Sequence, residues 1–310
     1  MITLFWHPTF VLPLPEGHQF PMIKYRLVKE RLLQSGLVKP ENFRLPPMVS
    51  NNILSLTHSA DYIEKLETGT LSPAEIRKIG FPYSKAMVDR EKYICGAMIE
   101  ASLEALRSGV SFNMAGGTHH AFKEYGSAFC IFNDMAVAAN YLLHENIVRR
   151  ILIVDLDAHQ GNGTSAIFAQ YDTVFVFNVF SKQAFPYKKE RSHFDLVMDE
   201  NTNDFSYLEK VELPLTSIIN KFEPDLVMFQ SGVDLLYNDK LGRMKLTEEG
   251  IRQRDRLVFE LCRKNSIPVS VCMGGGYSPE IEKIVTCHFN TIKEAISTIK
   301  CETVSDDHGI

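Results

Sequence analysis

The sequence predicts an α/β fold in three αβα layers, a mostly parallel central sheet with helices on both faces. Three observations predict it. Short, nearly continuous apolar runs recur along the 310 residues. Helix-patterned segments with recognisable ends stand between those runs. The runs themselves lack the apolar–polar alternation of a strand that faces water, as strands buried on both sides should. Strands alternating with helices give a parallel sheet, because each parallel return needs a crossover.

Taken in chain order, the elements follow from their ends. "SPAE" at 72–75 offers Ser72 as N-cap, Pro73 at the first helical position and Glu75 to close a capping box, and Gly80 stops this short helix. "YSKAMVDREKYICGAMIEASLEALRSG" carries apolar residues at helical spacing and ends at Gly109. "VSFNMA" at 110–115 is the first strand. "NDMAVAANYLLHEN" is a helix that either Asn133 or Asp134 can cap. "ILIVDLD" at 151–157, "TVFVFNVF" at 173–180 and "DLVMFQSG" at 225–232 are strands. Thr247 caps the helix "LTEEGIRQRDRLVFELCRKN", "PVSVCMGG" at 268–275 is a strand, and "SPEIEKIV" repeats the Ser-Pro helix start at Ser278 and Pro279. No repeat or linker interrupts the series, so residues 1–310 read as a single domain whose polar tail "CETVSDDHGI" is frayed from about position 300.

Composition narrows the function. At 45% hydrophobic, the chain can bury a sizeable core. A net charge of −5 with scattered basic residues excludes direct nucleic-acid binding through the chain's own basic field, and "KKER" at 188–191 reads as a solvated face. The six cysteines form no CxxC, and Cys95, Cys130, Cys262, Cys272 and Cys287 sit in apolar surroundings, which suits reduced thiols. The opening "MITLFWHPTF" has neither the charged start nor the apolar stretch of a secretion signal, and no run approaches the roughly 18 apolar residues of a membrane span. These features predict a soluble cytoplasmic protein, or a nuclear one in a eukaryote, without a membrane partner.

The unusual residues fall at strand ends. "GGTHH" follows the first strand, "DLDAHQGNG" grows out of "ILIV", "SGVD" follows "DLVMFQ", and "GGGY" follows "PVSVCM". In an open parallel sheet the carboxyl edge is where ligands bind. Asp157 and His159 are two apart, so an extended backbone points both side chains the same way. With Asp234 they make a three-ligand set that leaves a position for water, the pattern of a catalytic zinc site. Alone, Asp-x-His would be a turn with an incidental histidine. The coincidence with Asp234, the His119-His120 pair and Tyr277 points to chemistry. A histidine there can take a proton from water and return it to a leaving amine. Tyr277, after Gly274, Gly275 and Gly276, can bring a hydroxyl to a developing oxyanion.

The motifs "AGGTHHAF", "GSAFCIFND", "DLDAHQGNG", "SGVD" and "GGGY" resemble, in order and approximate spacing, the zinc-dependent histone deacetylase family of the arginase/deacetylase fold, from "HSADYIEKL" near position 58 to the final helix. "DLDAHQGNG", with "NDKLGRMKLTEEGIRQRDRLVF" after Asp234, is most similar to the class IV branch and its bacterial relatives. The resemblance implies a hydrolase that removes acyl groups from lysine side chains of proteins or peptides. It implies zinc, or iron(II) in its place, on Asp157, His159 and Asp234, and a structural monovalent cation such as potassium held partly by the backbone of Asp155. His120 matches the general base and acid, and His119 the neighbour that stabilises charge and orients water. Asp155 and Asn162 match the groups behind these two histidines, and Tyr277 matches the carbonyl-binding tyrosine. Phe129 and Phe185 match the walls of the acyl-lysine tunnel, Leu241 its mouth, and Ala128 and Gly275 further substrate contacts.

Departures refine these expectations. Some branches carry aspartate where this chain has Asn162, so His120 should be a weaker base here. Ala128 stands where glycine is usual, and its methyl should narrow the tunnel. Class IV resemblance implies a preference for long fatty acyl groups. Arginase, the fold cousin, has a further aspartate ligand where this chain has Gly161, so one metal is expected. Two other functions compete: a deacetylase of polyamines or other small acylated amines, with Asp239 as its acidic mouth residue, and an inactive acyl-lysine-binding protein, against which the intact ligand set argues.

Overall fold

The structure is a computed structural model, and it describes residues 2–300; the frayed tail predicted from about position 300 lies outside the described residues. The strands are β1 (Thr3–Phe5), β2 (Phe43–Arg44), β3 (Val110–Asn113), β4 (Ile151–Asp155), β5 (Val174–Ser181), β6 (Phe194–Met198), β7 (Leu226–Gln230) and β8 (Val269–Cys272). The helices are α1 (Lys24–Gln34), α2 (Asn51–Leu54), α3 (Ala60–Thr68), α4 (Pro73–Ile79), α5 (Lys85–Ser108), α6 (Asp134–His144), α7 (Asn162–Phe168), α8 (Asp204–Phe222), α9 (Glu248–Lys264) and α10 (Ile281–Lys300). All eight strands join one sheet in the order β2-β1-β3-β8-β7-β4-β5-β6, and every pairing is parallel.

Adjacent residues of β3 show the three layers. Asn113 donates a side-chain hydrogen bond to the Ile94 carbonyl on α5, while the Phe112 ring packs 6.4 Å from Phe259 on α9. Successive strand residues point to opposite faces, so α5 and α9 cover opposite sides of the sheet. Strands β4, β7 and β8 are buried at every position, as their unbroken apolar runs predict.

The caps act locally. Ser72 Oγ accepts the Glu75 N–H at 3.3 Å while Glu75 Oε2 accepts the Ser72 N–H at 2.7 Å, the reciprocal box that starts α4. Thr247 caps α9, and Gly80 and Gly109 close α4 and α5. Asn133, not Asp134, caps α6, because the Asp134 carboxylate is occupied by Gly117 and Thr118. The last helix starts at Ile281, later than the Ser278-Pro279 pair predicts.

Sequence reading missed β2 and β6, the two edge strands with little burial pattern to find, and β1, fully buried but only three residues long. It also missed α1, α2, α3 and α7, and α8, which carries Pro214 inside it. Cys95, Cys130, Cys262, Cys272 and Cys287 are buried and unpaired. Among the described residues no helix is long and apolar enough to cross a membrane.

Candidate active site

The four strands whose ends carry the unusual residues, β3, β8, β7 and β4, are neighbours at the middle of the sheet. Their shared direction brings all four carboxyl ends to one edge. There the chain is not extended: β4 stops at Asp155, and Asp157 and His159 lie in the bend beyond it. Side chains fold that bend. Asp155 Oδ1 accepts the Asp157 N–H at 3.2 Å, and Asp157 Oδ1 accepts the His159 N–H at 3.0 Å, each a carboxylate bonding its backbone two residues on. The side chains therefore converge through turn geometry rather than strand alternation.

Long-range bonds lock the bend to its neighbours. Asp234 Oδ1 accepts the Ala158 N–H at 2.9 Å, and the Gly275 N–H donates to Asp157 Oδ2 at 2.8 Å. A side chain at Gly275 would place its Cβ 2.1 Å from Asp234 Oδ2, so only glycine lets that loop approach the carboxylates. Buried Arg254 donates through Nη1 to the carbonyls of Leu156 (2.8 Å) and Gly232 (3.0 Å), tying the tips of β4 and β7 together.

Asp157, His159 and Asp234 thus meet. One ligand atom from each lies within 4.8 Å of the others, and all three residues are buried. His159 Nδ1 stands 2.8 Å from Asp234 Oδ2 and 3.1 Å from Asp157 Oδ1. Burial, then the adjacent Asp157 charge, pushes Asp234 up to about 7. Burial opposes charge on His159, but the two carboxylates hold its pKa well above the ordinary imidazole range. Two carboxylates buried side by side call for a cation, and a carboxylate–imidazole–carboxylate donor set suits a divalent ion such as zinc or iron(II). At Gly161 an added Cβ would sit 2.3 Å from Asp155 Oδ2, which leaves no room for a second-metal ligand there.

The two histidines are differentiated by what stands behind them. His119 Nδ1 lies 2.8 Å from Asp155 Oδ2, and His120 Nδ1 lies 2.7 Å from Asn162 Oδ1. Their ring centroids are 4.1 Å apart. Burial works against a charged His119, yet Asp155 raises its pKa. Burial, then His119 and His159, drives His120 well below the ordinary value. A pair of like groups with pKa values pushed apart is the signature of divided acid–base roles. Burial, then Asp157 and Asp234, raises the Tyr277 phenol well above its usual range and keeps it a hydrogen-bond donor.

Cavities lie on both sides of these groups. The outer one, about 560 Å³, is lined by Phe129, Phe185, Leu241 and Tyr277, with His120 and His159 also on its wall. The Phe185 ring stands edge-on to His120 at 5.0 Å. The inner one, about 30 Å³, is walled by Tyr25, Arg90, Ile94 and Cys130 and bordered by His119, His120, Gly275 and Tyr277. Ala128 lines both, at φ 44°, where glycine would be more relaxed; Phe129 follows at φ 66°. Backbone bonds from Ala128 N–H to Lys78 O (2.9 Å) and Phe129 N–H to Ile79 O (2.6 Å) hold this turn.

Every predicted site residue therefore takes its place around one centre, with the proposed polyamine contact as the exception. Asp239 does not face the outer cavity. Its Oδ1 accepts the N–H groups of Leu241 and Gly242, and its Oδ2 that of Tyr277, so the carboxylate braces the loop from within. Sequence reasoning missed Lys24, Arg90 and Arg254. Buried Lys24 donates to the Gly274 carbonyl at 2.9 Å, and burial lowers its pKa to about 8. The one local signal was a lysine within the apolar stretch "FPMIKY".

Residues 18–292 match the model of the histone deacetylase domain. An uncharacterized protein of Picosynechococcus sp. is 41% identical, over 91% of this chain and 94% of its own length. Histone deacetylase 2 of Arabidopsis thaliana is 29% identical over 86% of this chain and 72% of its own, and the acetoin utilization protein AcuC of Staphylococcus aureus is 29% identical over 84% and 72%. The crystal structure of the HDA15 HD domain superposes with a TM-score of 0.79, covering 97% of this chain and 92% of that one at 18% identity, a likeness of fold. The domain match spans the strand ends, the metal triad and the histidine pair, and the chain belongs to the histone deacetylase family.

Proposed function

We propose that this deacetylase-type hydrolase removes short acyl groups, acetyl foremost, from lysine side chains of proteins and peptides. The observation that carries the reading is the unequal histidine pair, one backed by Asp155 and the other by Asn162, beside a buried Asp-His-Asp triad. A divalent ion on Asp157, His159 and Asp234 supplies Lewis-acid polarisation and eases deprotonation of a water. A potassium ion near the Asp155 backbone belongs to the same proposal.

The chain's own groups do the rest. His120, held neutral, accepts a proton from the attacking water and returns it to the departing lysine amine. His119, charged against Asp155, adds positive potential beside the reacting carbonyl. Tyr277 donates its hydroxyl hydrogen to the oxyanion as it forms. Phe129 and Phe185 flank the apolar stem of lysine and exclude water from it.

The test uses an acetyl-lysine peptide with zinc- or iron(II)-loaded protein. Tyr277→Phe should lower kcat by about 10²–10³-fold, the usual loss of one oxyanion donor, at an unchanged melting temperature. Full turnover in that variant would contradict the proposal.

A further inference from the structure

The rim of the outer cavity carries charge of one sign. Arg77, Lys78, Lys240 and Arg243 line it, and no carboxylate does. All four are exposed, and none takes part in an ion pair among the described residues. They come from two segments far apart in sequence, the last turn of α4 and the loop after β7. The backbone presents them at fixed points. Lys78 O and Ile79 O accept the N–H groups of Ala128 and Phe129 in the cavity wall, and Arg243 O accepts the Ser181 hydroxyl at 3.2 Å. The Lys78 ammonium itself lies over the Tyr125 ring.

The carboxylates carried beside them on those two segments are already committed. Asp239 accepts three backbone N–H groups within its own loop. Glu75, on the same helix as Arg77 and Lys78, caps Ser72 and pairs with Lys65. A chain of net charge −5 thus surrounds its tunnel mouth with unpaired cations. Charge of one sign around a cleft concentrates ligands of the other sign and raises their association rate.

We infer that the rim selects acyl-lysine carried on an acidic segment, with aspartate or glutamate within a few residues of the modified lysine, and that it disfavours polycationic amines. The inference rests on the deacylase reading above. It reverses the polyamine alternative, which would need an acidic mouth.

The experiment compares acetyl-lysine peptides of equal length with acidic, neutral or basic flanks, and an N-acetylated polyamine, on metal-loaded protein at low and high salt. Binding of the same peptides to Tyr277→Phe protein is measured in parallel by fluorescence anisotropy. At low ionic strength kcat/KM and affinity for the acidic peptide should exceed those for the basic one by about tenfold or more, and the gap should shrink several-fold in about 0.5 M salt. The double variant Lys240→Glu, Arg243→Glu should invert the order, and Lys240→Gln, Arg243→Gln should abolish it. Equal or better use of the basic peptide or the polyamine overturns the inference. Acidic preference in binding without cleavage of any peptide would sink the deacylase reading while leaving the rim's selectivity standing.

Discussion

Lengthening the acyl group by single methylenes probes the site most directly. On the proposed deacylase reading, a lysine borne on a protein enters from the open outer cavity, so the acyl tail points inward, past His120 and Tyr277. The inner cavity there is by far the smaller, about 30 Å³ against about 560 Å³ outside, so a lengthening acyl tail soon meets its end wall. Its walls cannot easily retreat. Tyr25, Arg90, Ile94 and Cys130 are all buried, and Arg90 is tied through Nε to the Phe10 carbonyl at 3.1 Å. Forcing extra methylenes into packed surroundings costs about 1–3 kcal/mol, or roughly five- to 150-fold in rate. Butyryl-lysine should therefore be cleaved with a kcat/KM about 10- to 100-fold below acetyl-lysine, and octanoyl- or myristoyl-lysine more weakly still. The assay is one peptide sequence bearing acyl chains of two to fourteen carbons, with the free amine followed by mass spectrometry. Ile94→Ala, which opens the wall, should raise the butyryl-to-acetyl ratio by about tenfold. Wild-type protein that cleaves octanoyl-lysine as well as acetyl-lysine would refute the volume argument and restore the long-chain preference that class IV resemblance implies.

Other perturbations address single groups. Asn162→Asp places a carboxylate where an amide oxygen now lies 2.7 Å from His120 Nδ1. The acid limb of the kcat/KM profile should move to higher pH by about one unit or more, and an unmoved limb would remove Asn162 from control of the base. In metal-free protein, Asp234→Asn should raise the melting temperature by relieving two buried carboxylates, and it should erase the stabilisation that saturating zinc gives the wild type, about 3 kcal/mol at 100-fold excess over Kd. A zinc-induced shift that survives this substitution would place the ion elsewhere. His58 should make stability fall in acid. Its ring bonds Phe122 O through Nδ1 and accepts the Asn133 N–H at Nε2, each at 3.0 Å, which only the neutral ring can do, and burial lowers its pKa from 6.5 to about 4. Its contribution is complete above about pH 6.5 and is lost as pH falls towards 4, about 3 kcal/mol in all. Denaturant titrations across that range should show a shallower slope in His58→Gln, and an identical slope would exclude His58 as the source.

What the sequence could convey was local. The Ser72-Pro73-Glu75 box and Thr247 name their helix starts because a cap is a bond between residues three apart. The central strands β4, β7 and β8 declare themselves because burial on both faces forces unbroken apolar runs. Burial left no such trace in β2, two residues long, or in the half-exposed β6. The metal ligands were legible as residue types at strand ends, and the family motifs fixed which of them to choose. Tertiary structure decided the rest. It inserted β7 and β8 between β3 and β4, and only that order puts Asp234 and Gly275 against Asp157. It turned Asp239 inward, gave Asn133 rather than Asp134 the cap of α6, and brought Lys24 and Arg254 from distant helices to brace the site loops. The contacts that decide these arrangements join residues from 16 to 250 positions apart, at separations where the chain itself imposes no geometry and packing alone chooses the partner.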